Sequence, residues 1–273
     1  MTERVLQHGE MLARDIASYE VPRRTVACWY LGQASIVLKC SVGILLIDPF
    51  FSEHPARLFP PPLQCSEIAD VTWVLCTHHH LDHLDPATIG PLAQRFPSCR
   101  FVVPEPHIPI AITSGVAMER LHPAIVGTSI EVPGLKITPL RAKHEEFEVN
   151  ERGNHLYVGY IVEVDGLRLF HSGDTVGFDG QAEDLVPFSP HVVFLPINGR
   201  DWVRNRRNIA GNMNYREALD LAHAVKAGVV VPLHYDLFGG NTENPVFFVD
   251  HLYRTFPAQA FKMLAVGERF LIG

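Results

Sequence analysis

The sequence predicts an α+β fold in which two sheets pack face to face and helices cover both outer faces. Short β-type runs recur in both halves of the chain, and amphipathic helical stretches follow them. The second half repeats the scheme of the first, so we expect two similar halves. No linker rich in Pro, Gly and Ser divides the chain. We therefore expect a single domain over residues 25–273, preceded by an N-terminal extension over residues 1–24.

The first half begins with three short β-type runs. Gly32 and Gly43 punctuate these runs, a pattern typical of an antiparallel meander. A helix is expected after Asp85, which can cap it, with Pro86 in the first turn. The strands expected in this half are 26–30, 35–39, 43–47, 72–76 and 101–103, and the expected helix is 86–96.

The second half contains further β-type runs and two helical stretches. One helix begins after Asn214, which can form a capping box with Glu217, and it stops at Gly228. A short β-type tail follows the last helix. The expected strands are 136–140, 156–164, 168–171, 192–195 and 229–233, and the expected helices are 215–227 and 245–255.

Composition narrows the class of protein. A chain of 273 residues with 47% hydrophobic content can bury a sizeable core, so we expect a globular protein. The N-terminus has no signal-peptide pattern and no apolar run is long enough to cross a bilayer, which predicts a cytoplasmic location. The five cysteines are scattered without a Cys-x-x-Cys pair, so neither a disulfide framework nor a thiolate zinc cluster is expected.

The net charge of the chain limits the partners that we expect it to bind. A net charge of −7 argues against a broad nucleic-acid surface, which needs basic side chains to neutralise phosphates. We expect a small-molecule substrate, no nucleic acid and no membrane as partners. The sequence leaves self-association into a homo-oligomer open.

The segment 77–83 (THHHLDH) is the strongest functional signal. It follows an apolar run and contains the pattern His-x-His-x-Asp-His, which supplies four metal-binding side chains: His78, His80, Asp82 and His83. Desolvating so many imidazoles and carboxylates is costly unless a cation satisfies them. The alternative is a solvated histidine-rich loop or an adventitious metal binder. His79 is the variable position of the pattern and is expected to point away from the ions.

Three further candidate ligands follow predicted strands. Asp174 lies in the turn after one strand, His234 ends another, and His144 follows a third after a few residues. A single histidine at a strand end is more often a hydrogen-bonded structural residue, and this alternative is strongest for His144. The predicted ligands are His78, His80 and His144 for one ion, Asp82, His83 and His234 for the other, and Asp174 between the two.

These motifs resemble the signature of metallo-β-lactamase-fold hydrolases. The resemblance rests on the His-x-His-x-Asp-His pattern, the turn 172–175 (SGDT) and His234. It implies a four-layer αββα sandwich with a dinuclear site at one edge. A closer resemblance, to the branch that contains the L-ascorbate-6-phosphate lactonases, rests on the segments 29–35, 46–50, 170–174 and 231–236.

The closer resemblance covers roughly residues 28–238 and has departures. The lactonases carry a longer insertion before the His-rich loop and a longer C-terminus, so this chain is open to a different substrate. His144 matches by its position in the fold rather than by a tight motif. The resemblance implies that Asp48 supports the ligands without binding an ion, although a turn residue before Pro49 is an equal alternative. His171 is expected to orient ligands in a similar way.

The ligand set predicts a hydrolytic chemistry. A water held between two cations becomes a metal-bridged hydroxide near neutral pH, while one ion polarises the scissile carbonyl or phosphoryl oxygen. Asp82 is the candidate for orienting the hydroxide and passing a proton to the leaving oxygen. Ligands that are all His or Asp suit zinc, manganese or iron. The lactonase resemblance implies two manganese ions, with zinc as the rival.

The sequence pattern is less specific for substrate-binding residues than for metal ligands. Asn198 and Tyr235 are offered as donors to the oxyanion of a lactone carbonyl. Arg200 and Arg204, in a polar loop after a predicted strand, could clamp a substrate phosphate. The alternative for this loop is a solvated segment or a subunit contact.

Three functions follow from this pattern. The favoured one is a metal-dependent hydrolase that opens a lactone or ester of a small sugar acid, with or without a phosphate group. A phosphodiesterase or nuclease of the same fold is disfavoured by the acidic charge balance. A non-catalytic metal-binding protein is the third, and the complete ligand set argues against it.

Overall fold

The structure is a computed structural model and describes residues 9–273. Its strands fall into two sheets of seven. In chain order they are β1 Val26–Tyr30, β2 Ile36–Cys40, β3 Gly43–Ile47, β4 Val71–Leu75, β5 Arg100–Pro104, β6 Leu121–Ala124, β7 Ile130–Val132, β8 Leu135–Arg141, β9 Val158–Val164, β10 Leu167–His171, β11 Val192–Pro196, β12 Val229–Leu233, β13 Ala260–Phe261 and β14 Arg269–Ile272.

The α-helices are short; the first precedes β1, and the others lie between strands. They are α1 Gly9–Ser18, α2 Pro86–Arg95, α3 Ile108–Thr113, α4 Gln181–Leu185, α5 Trp202–Arg206, α6 Tyr215–Ala224 and α7 Pro245–Thr255. Single 3₁₀ turns cover Glu105–His107, Met118–Arg120 and Val186–Phe188. Within the described part of the chain, no helix has the length and apolar character needed to span a bilayer.

Each sheet is mixed. The first has the order β14-β1-β2-β3-β4-β5-β6 and the second β13-β12-β11-β10-β9-β8-β7. The predicted meander is confirmed, because β1, β2 and β3 pair antiparallel. From β3 to β6 the strands are parallel, and so are β10 to β13. The last strand, β14, returns to the first sheet and pairs antiparallel with β1.

Three apolar layers hold the two sheets and the helices together. The central layer lies between the sheets and joins side chains of both, among them Tyr30 and Leu45 from the first sheet and Tyr160 and Phe194 from the second. A second layer lies between the first sheet and α1, α2 and α3, and a third between the second sheet and α6 and α7. The expected α+β sandwich of four layers, αββα, is therefore confirmed.

The predicted N-terminal extension contains a packed helix. Its residues 1–8 lie outside the described part of the chain, but α1 buries Leu12 and Ile16 in the layer beside the first sheet. Asp15 accepts a hydrogen bond of 2.7 Å from the indole nitrogen of Trp29 in β1. Lys39 in β2 donates to two carbonyls at the end of the helix, at 2.8 and 2.7 Å. Residues 9–18 therefore cover part of the first sheet.

Several elements were not predicted. The strands β6 and β7 and the helices α3, α4 and α5 are short and lack a clear apolar period. Pro123 interrupts the β-type pattern of β6, and this strand forms at an edge, where it needs only one paired neighbour. The predicted helices 86–96 and 215–227 end earlier, at Arg95 and Ala224. Such end points depend on caps that the pattern does not specify.

The docking of α1 gives a stability prediction. Ile16 is 1% exposed, so Ile16→Ala removes buried methyl groups and should lower the free energy of unfolding by about 2–5 kcal/mol. Met11 on the same helix is 65% exposed, and Met11→Ala should change it by less than about 0.5 kcal/mol. Urea unfolding followed by circular dichroism measures both. Equal effects of the two substitutions would show that α1 does not pack as described.

Candidate metal centre

The predicted ligands follow the carboxyl ends of strands in both sheets. The loop 78–83 follows β4, Asp174 follows β10, His234 follows β12 and His144 follows β8. These strand ends from the two stacked sheets lie at the same edge of the sandwich, so their side chains come together there. The fold thus gathers residues that lie far apart in the chain.

Three overlapping groups of donor atoms form there. Within each group the atoms lie within 4.8 Å of one another, and the groups are His78, His80 and His144; His78, His83 and Asp174; and Asp82, His83 and His234. Two of these are the two trios expected from the sequence. The third group joins Asp174 to His78 of the first trio and to His83 of the second. Asp174 therefore lies beside both trios.

Buried donor atoms in this cluster lack hydrogen-bond partners. Among the described residues, His78 Nε2, His83 Nε2 and Asp174 Oδ1 are buried and make no hydrogen bond, although His83 Nε2 lies 3.5 Å from Asp174 Oδ1. A buried polar atom without a partner costs on the order of 1–3 kcal/mol. Imidazole nitrogens and carboxylate oxygens directed at a common point are what a divalent cation of the zinc, manganese or iron type binds. The residues present therefore fit a metal centre.

The pKa values of the histidines in the cluster are shifted in opposite directions. Burial lowers the pKa of His78 well below its usual value and that of His80 to about 4. Burial also opposes protonation of His234, but Asp174 Oδ2 at 3.1 Å and Asp82 Oδ2 at 3.6 Å raise its pKa to about 9. These carboxylates therefore hold a proton on His234 when no cation is bound.

The pKa of His83 is raised for the same reason. Burial would lower its pKa, but Asp174, Asp82 and Asp48 together raise it well above the usual value. Its Nε2 lies 3.5 Å from Asp82 Oδ2 and 3.5 Å from Asp174 Oδ1. A cation at this point would replace the proton as the partner of both carboxylates.

Asp48 holds the His-rich loop in place. It is fully buried, and its two oxygens accept hydrogen bonds of 2.7 Å from the backbone nitrogen of Thr77, the hydroxyl of Thr77 and Nδ1 of His83. The bond to Nδ1 turns the other nitrogen of His83 toward the candidate ligands. The structure thus places Asp48 where a supporting residue was expected.

A glycine turn fixes Asp174. Gly173 has φ +58°, and a Cβ on it would lie 2.7 Å from Thr77 Cβ, so a larger residue does not fit. The ring of His171 accepts a hydrogen bond of 3.2 Å from the Gly173 nitrogen and donates one of 2.8 Å to the carbonyl of Ala34. His171 therefore orients this turn and does not itself join the donor groups.

Gln33 is a site residue that sequence reasoning missed. It is fully buried with φ +57°, and its Nε2 lies 2.8 Å from both Asp82 Oδ2 and His234 Nε2. Its backbone carbonyl accepts a hydrogen bond of 2.7 Å from His234 N. Gln33 lies in the segment 29–35 that contributes to the lactonase resemblance, but the sequence alone assigns it no role.

A cavity of about 420 Å³ opens onto the cluster. Five of the predicted ligands line it: His80, Asp82, His144, Asp174 and His234. The remainder of its lining comes from His54, Ala56, Leu81, Asn208, Ile209, Ala210, Phe238, Gly239 and Asn241. None of these nine residues is a candidate site residue in the sequence pattern.

The proposed substrate residues lie apart from this cavity. Arg200 forms two bonds with the carboxylate of Glu217, at 2.7 and 2.6 Å. Arg204 donates to the backbone carbonyls of Asn198 and Thr242. Their guanidinium groups are therefore committed to internal partners, which is why neither forms the expected phosphate clamp.

The two proposed oxyanion donors are also engaged elsewhere. The hydroxyl of Tyr235 donates to the carbonyl of Leu264 at 3.3 Å, and its ring stacks on Tyr30. The side chain of Asn198 is buried and bonds to Asn212 and Asn241. Neither Tyr235 nor Asn198 lines the cavity.

Comparisons with known proteins bear on the family. A family model described as a beta-lactamase superfamily domain matches residues 44–235. A UPF0173 metal-dependent hydrolase from Methanosarcina mazei is 28% identical over 224 residues, covering 80% of this chain and 87% of that relative. Another from Rubrobacter xylanophilus is 29% identical and covers 81% of this chain and 86% of that relative.

Solved structures share the fold. A metallo hydrolase from the hyperthermophilic archaeon Ignicoccus hospitalis superposes with a TM-score of 0.71 at 21% identity, covering 91% of this chain and 99% of that one. An isothiocyanate hydrolase from Delia radicum gut bacteria superposes with a TM-score of 0.70 at 17% identity, covering 90% and 99%. Because the family model spans more than half of the chain, the chain belongs to the metallo-β-lactamase-fold superfamily of metal-dependent hydrolases.

Proposed function

We propose that this hydrolase uses two divalent ions to open a lactone or ester of a small sugar acid. The observation that carries the proposal is the set of overlapping donor groups beside the cavity, in which buried His78 Nε2, His83 Nε2 and Asp174 Oδ1 make no hydrogen bond within the described residues. Two trios that share an acidic neighbour suit two ions better than one.

Each ion would have its own ligands. His78, His80 and His144 would hold the first, and Asp82, His83 and His234 the second, with Asp174 between them. Manganese and zinc both suit these donors, and iron is a further candidate. When bound, such ions lower the pKa of water and polarise a carbonyl oxygen.

The protein side chains would move the proton. Asp82 lines the cavity with 15% of its side chain exposed, and its Oδ2 accepts a hydrogen bond of 2.8 Å from Gln33 Nε2. This bond fixes the carboxylate facing the cavity, where it can accept a proton from water and pass it to the leaving oxygen. Gln33 therefore acts as a positioning residue for Asp82.

A phosphodiesterase or nuclease is less well supported. Lysine and arginine side chains are missing from the described lining of the cavity, and the net charge of the chain is −7. A phosphodiester backbone requires positive side chains along its path. The small cavity instead suits a compact ester or lactone.

Elemental analysis coupled to a substrate screen tests the proposal. Purified protein should contain two ions per chain, and a pH indicator should register acid release from lactones and carboxylic esters but not from a nitrophenyl phosphodiester. A stable metal site without turnover of any of these compounds would favour a non-catalytic metal-binding protein. Turnover of the phosphodiester alone would favour the phosphodiesterase.

Substitution of Asp82 tests its role. Asp82→Asn keeps the shape but removes the proton acceptor, so kcat should fall by about 10²-fold or more with retained fold. Circular dichroism and initial rates on the best lactone measure both properties. Asp220 is exposed on α6, and Asp220→Asn serves as the matched control with unchanged rate. An undiminished rate in Asp82→Asn would rule out the proposed proton transfer.

Metal uptake should release protons. In the metal-free protein the raised pKa of His234, about 9, leaves its imidazole protonated at pH 7. Coordination requires the neutral imidazole, so the apparent affinity should rise as the pH increases from 7 toward 9. Titration calorimetry in two buffers of different ionisation enthalpy counts the protons. His234→Gln should lower that count by about one, and an unchanged count would show that His234 releases no proton when an ion binds.

A further inference from the structure

The cavity above the candidate metal centre has two chemically different walls. The inner wall carries the candidate ligands, whereas the outer wall is formed by His54, Ala56, Leu81, Asn208, Ile209, Ala210, Phe238, Gly239 and Asn241. No lysine, arginine or carboxylate occurs among these nine residues. The outer wall therefore offers hydrogen bonds and apolar contact, but no fixed charge to a substrate.

His54 is a donor of defined orientation in the outer wall. The backbone nitrogen of Ala56 donates a hydrogen bond of 3.2 Å to His54 Nδ1. A neutral imidazole that accepts at Nδ1 carries its proton on Nε2. The ring also packs edge-on against Phe238, with centroids 5.5 Å apart. These contacts leave the Nε2–H group of His54 to bond a substrate oxygen.

Asn241 is the second donor. Its Oδ1 accepts a hydrogen bond of 2.9 Å from Asn198 Nδ2, and Asn198 Oδ1 in turn accepts one of 3.2 Å from Asn212 Nδ2. Both supporting asparagines are fully buried. With its oxygen engaged, Asn241 has its NH₂ group left for a ligand in the cavity.

Two arginines near the cavity are held by backbone carbonyls. Arg204 donates to the carbonyls of Asn198 and Thr242, and Arg57 donates to those of Phe59 and Phe50 at 3.1 and 3.3 Å. Neither lines the cavity. A phosphate dianion placed here would lose hydration without a cationic partner, which is costly.

We propose that the outer wall selects an uncharged, hydroxyl-bearing substrate, and that His54 Nε2 and Asn241 Nδ2 bind its hydroxyl or ring oxygens. The substrate class is a neutral sugar lactone rather than its phosphate ester. This inference rests on the proposed lactone or ester hydrolysis. It assigns His54 and Asn241 as specificity-determining residues.

Matched lactones test the selection. The metal-loaded protein is assayed with D-glucono-1,5-lactone and its 6-phosphate, above the spontaneous rate. The value of kcat/KM should be at least about tenfold higher for the neutral compound, because the outer wall gives a phosphate dianion no cationic partner to offset its lost hydration. An equal or higher value for the phosphate would overturn the outer-wall proposal and leave hydrolysis itself intact.

Substitutions test whether His54 and Asn241 bind the substrate. His54→Phe and Asn241→Leu should each raise KM for the neutral lactone by about fivefold or more, with a smaller rise for γ-butyrolactone, which has no hydroxyl groups. Asn205 is exposed, and Asn205→Ala is the control that should leave KM unchanged. An unchanged KM in both His54→Phe and Asn241→Leu would refute the assignment.

A binding measurement separates this proposal from the proposed function. Calorimetry on the loaded protein compares gluconate with 6-phosphogluconate. Tighter binding of gluconate that weakens in His54→Phe supports the outer-wall assignment even if no lactone is hydrolysed, in which case the proposed function alone fails. Tighter binding of the phosphate, or no binding and no turnover of either sugar, overturns the outer-wall assignment.

Discussion

The buried carboxylate of Asp48 is the interaction on which the site geometry depends. It binds the backbone and hydroxyl of Thr77 and the ring of His83, all at 2.7 Å. Through these bonds the end of β3 fixes the loop that follows β4. A buried carboxylate needs such partners, because an unpaired one would be strongly destabilising. The same contacts therefore satisfy Asp48 and orient the candidate ligands.

The fold tolerates a crowded cluster because its surroundings are rigid. Asp174 is held by the turn at Gly173, and His234 is held by the carbonyl of Gln33 at 2.7 Å. The raised pKa values of His83 and His234 favour their protonated forms, whose charge partly balances Asp82 and Asp174 when no cation is present. The metal-free protein thus keeps its acidic residues charged, ready for ion binding.

The sequence predicted the features that local pattern determines. The loop 78–83 and the strand-terminal His234 are recognisable in the sequence because ligand-type residues follow apolar runs there. The capping box of α6 was also predicted from Asn214 and Glu217, and it is present. The pattern could not show that the carboxylate of Glu217 also binds Arg200, and this long-range contact removes the arginine from the predicted phosphate clamp.

Gln33 illustrates what only the folded chain reveals. Its amide touches Asp82 and His234, which lie 49 and 201 positions away in the sequence. The outer wall of the cavity has the same character, since His54, Asn208 and Asn241 come from separate loops. Loop positions are set by side-chain packing and long-range hydrogen bonds, which periodicity does not encode.

The pairing of β14 with β1 has a consequence for biosynthesis. Residues 26 and 272 are direct neighbours across this pair, so β1 remains an edge strand of the first sheet until β14 has been synthesised. A nascent chain that has emerged only in part exposes unpaired backbone groups along β1, which can associate with other strands. Completion of the first sheet on the ribosome therefore waits until residues 269–272 have left the exit tunnel.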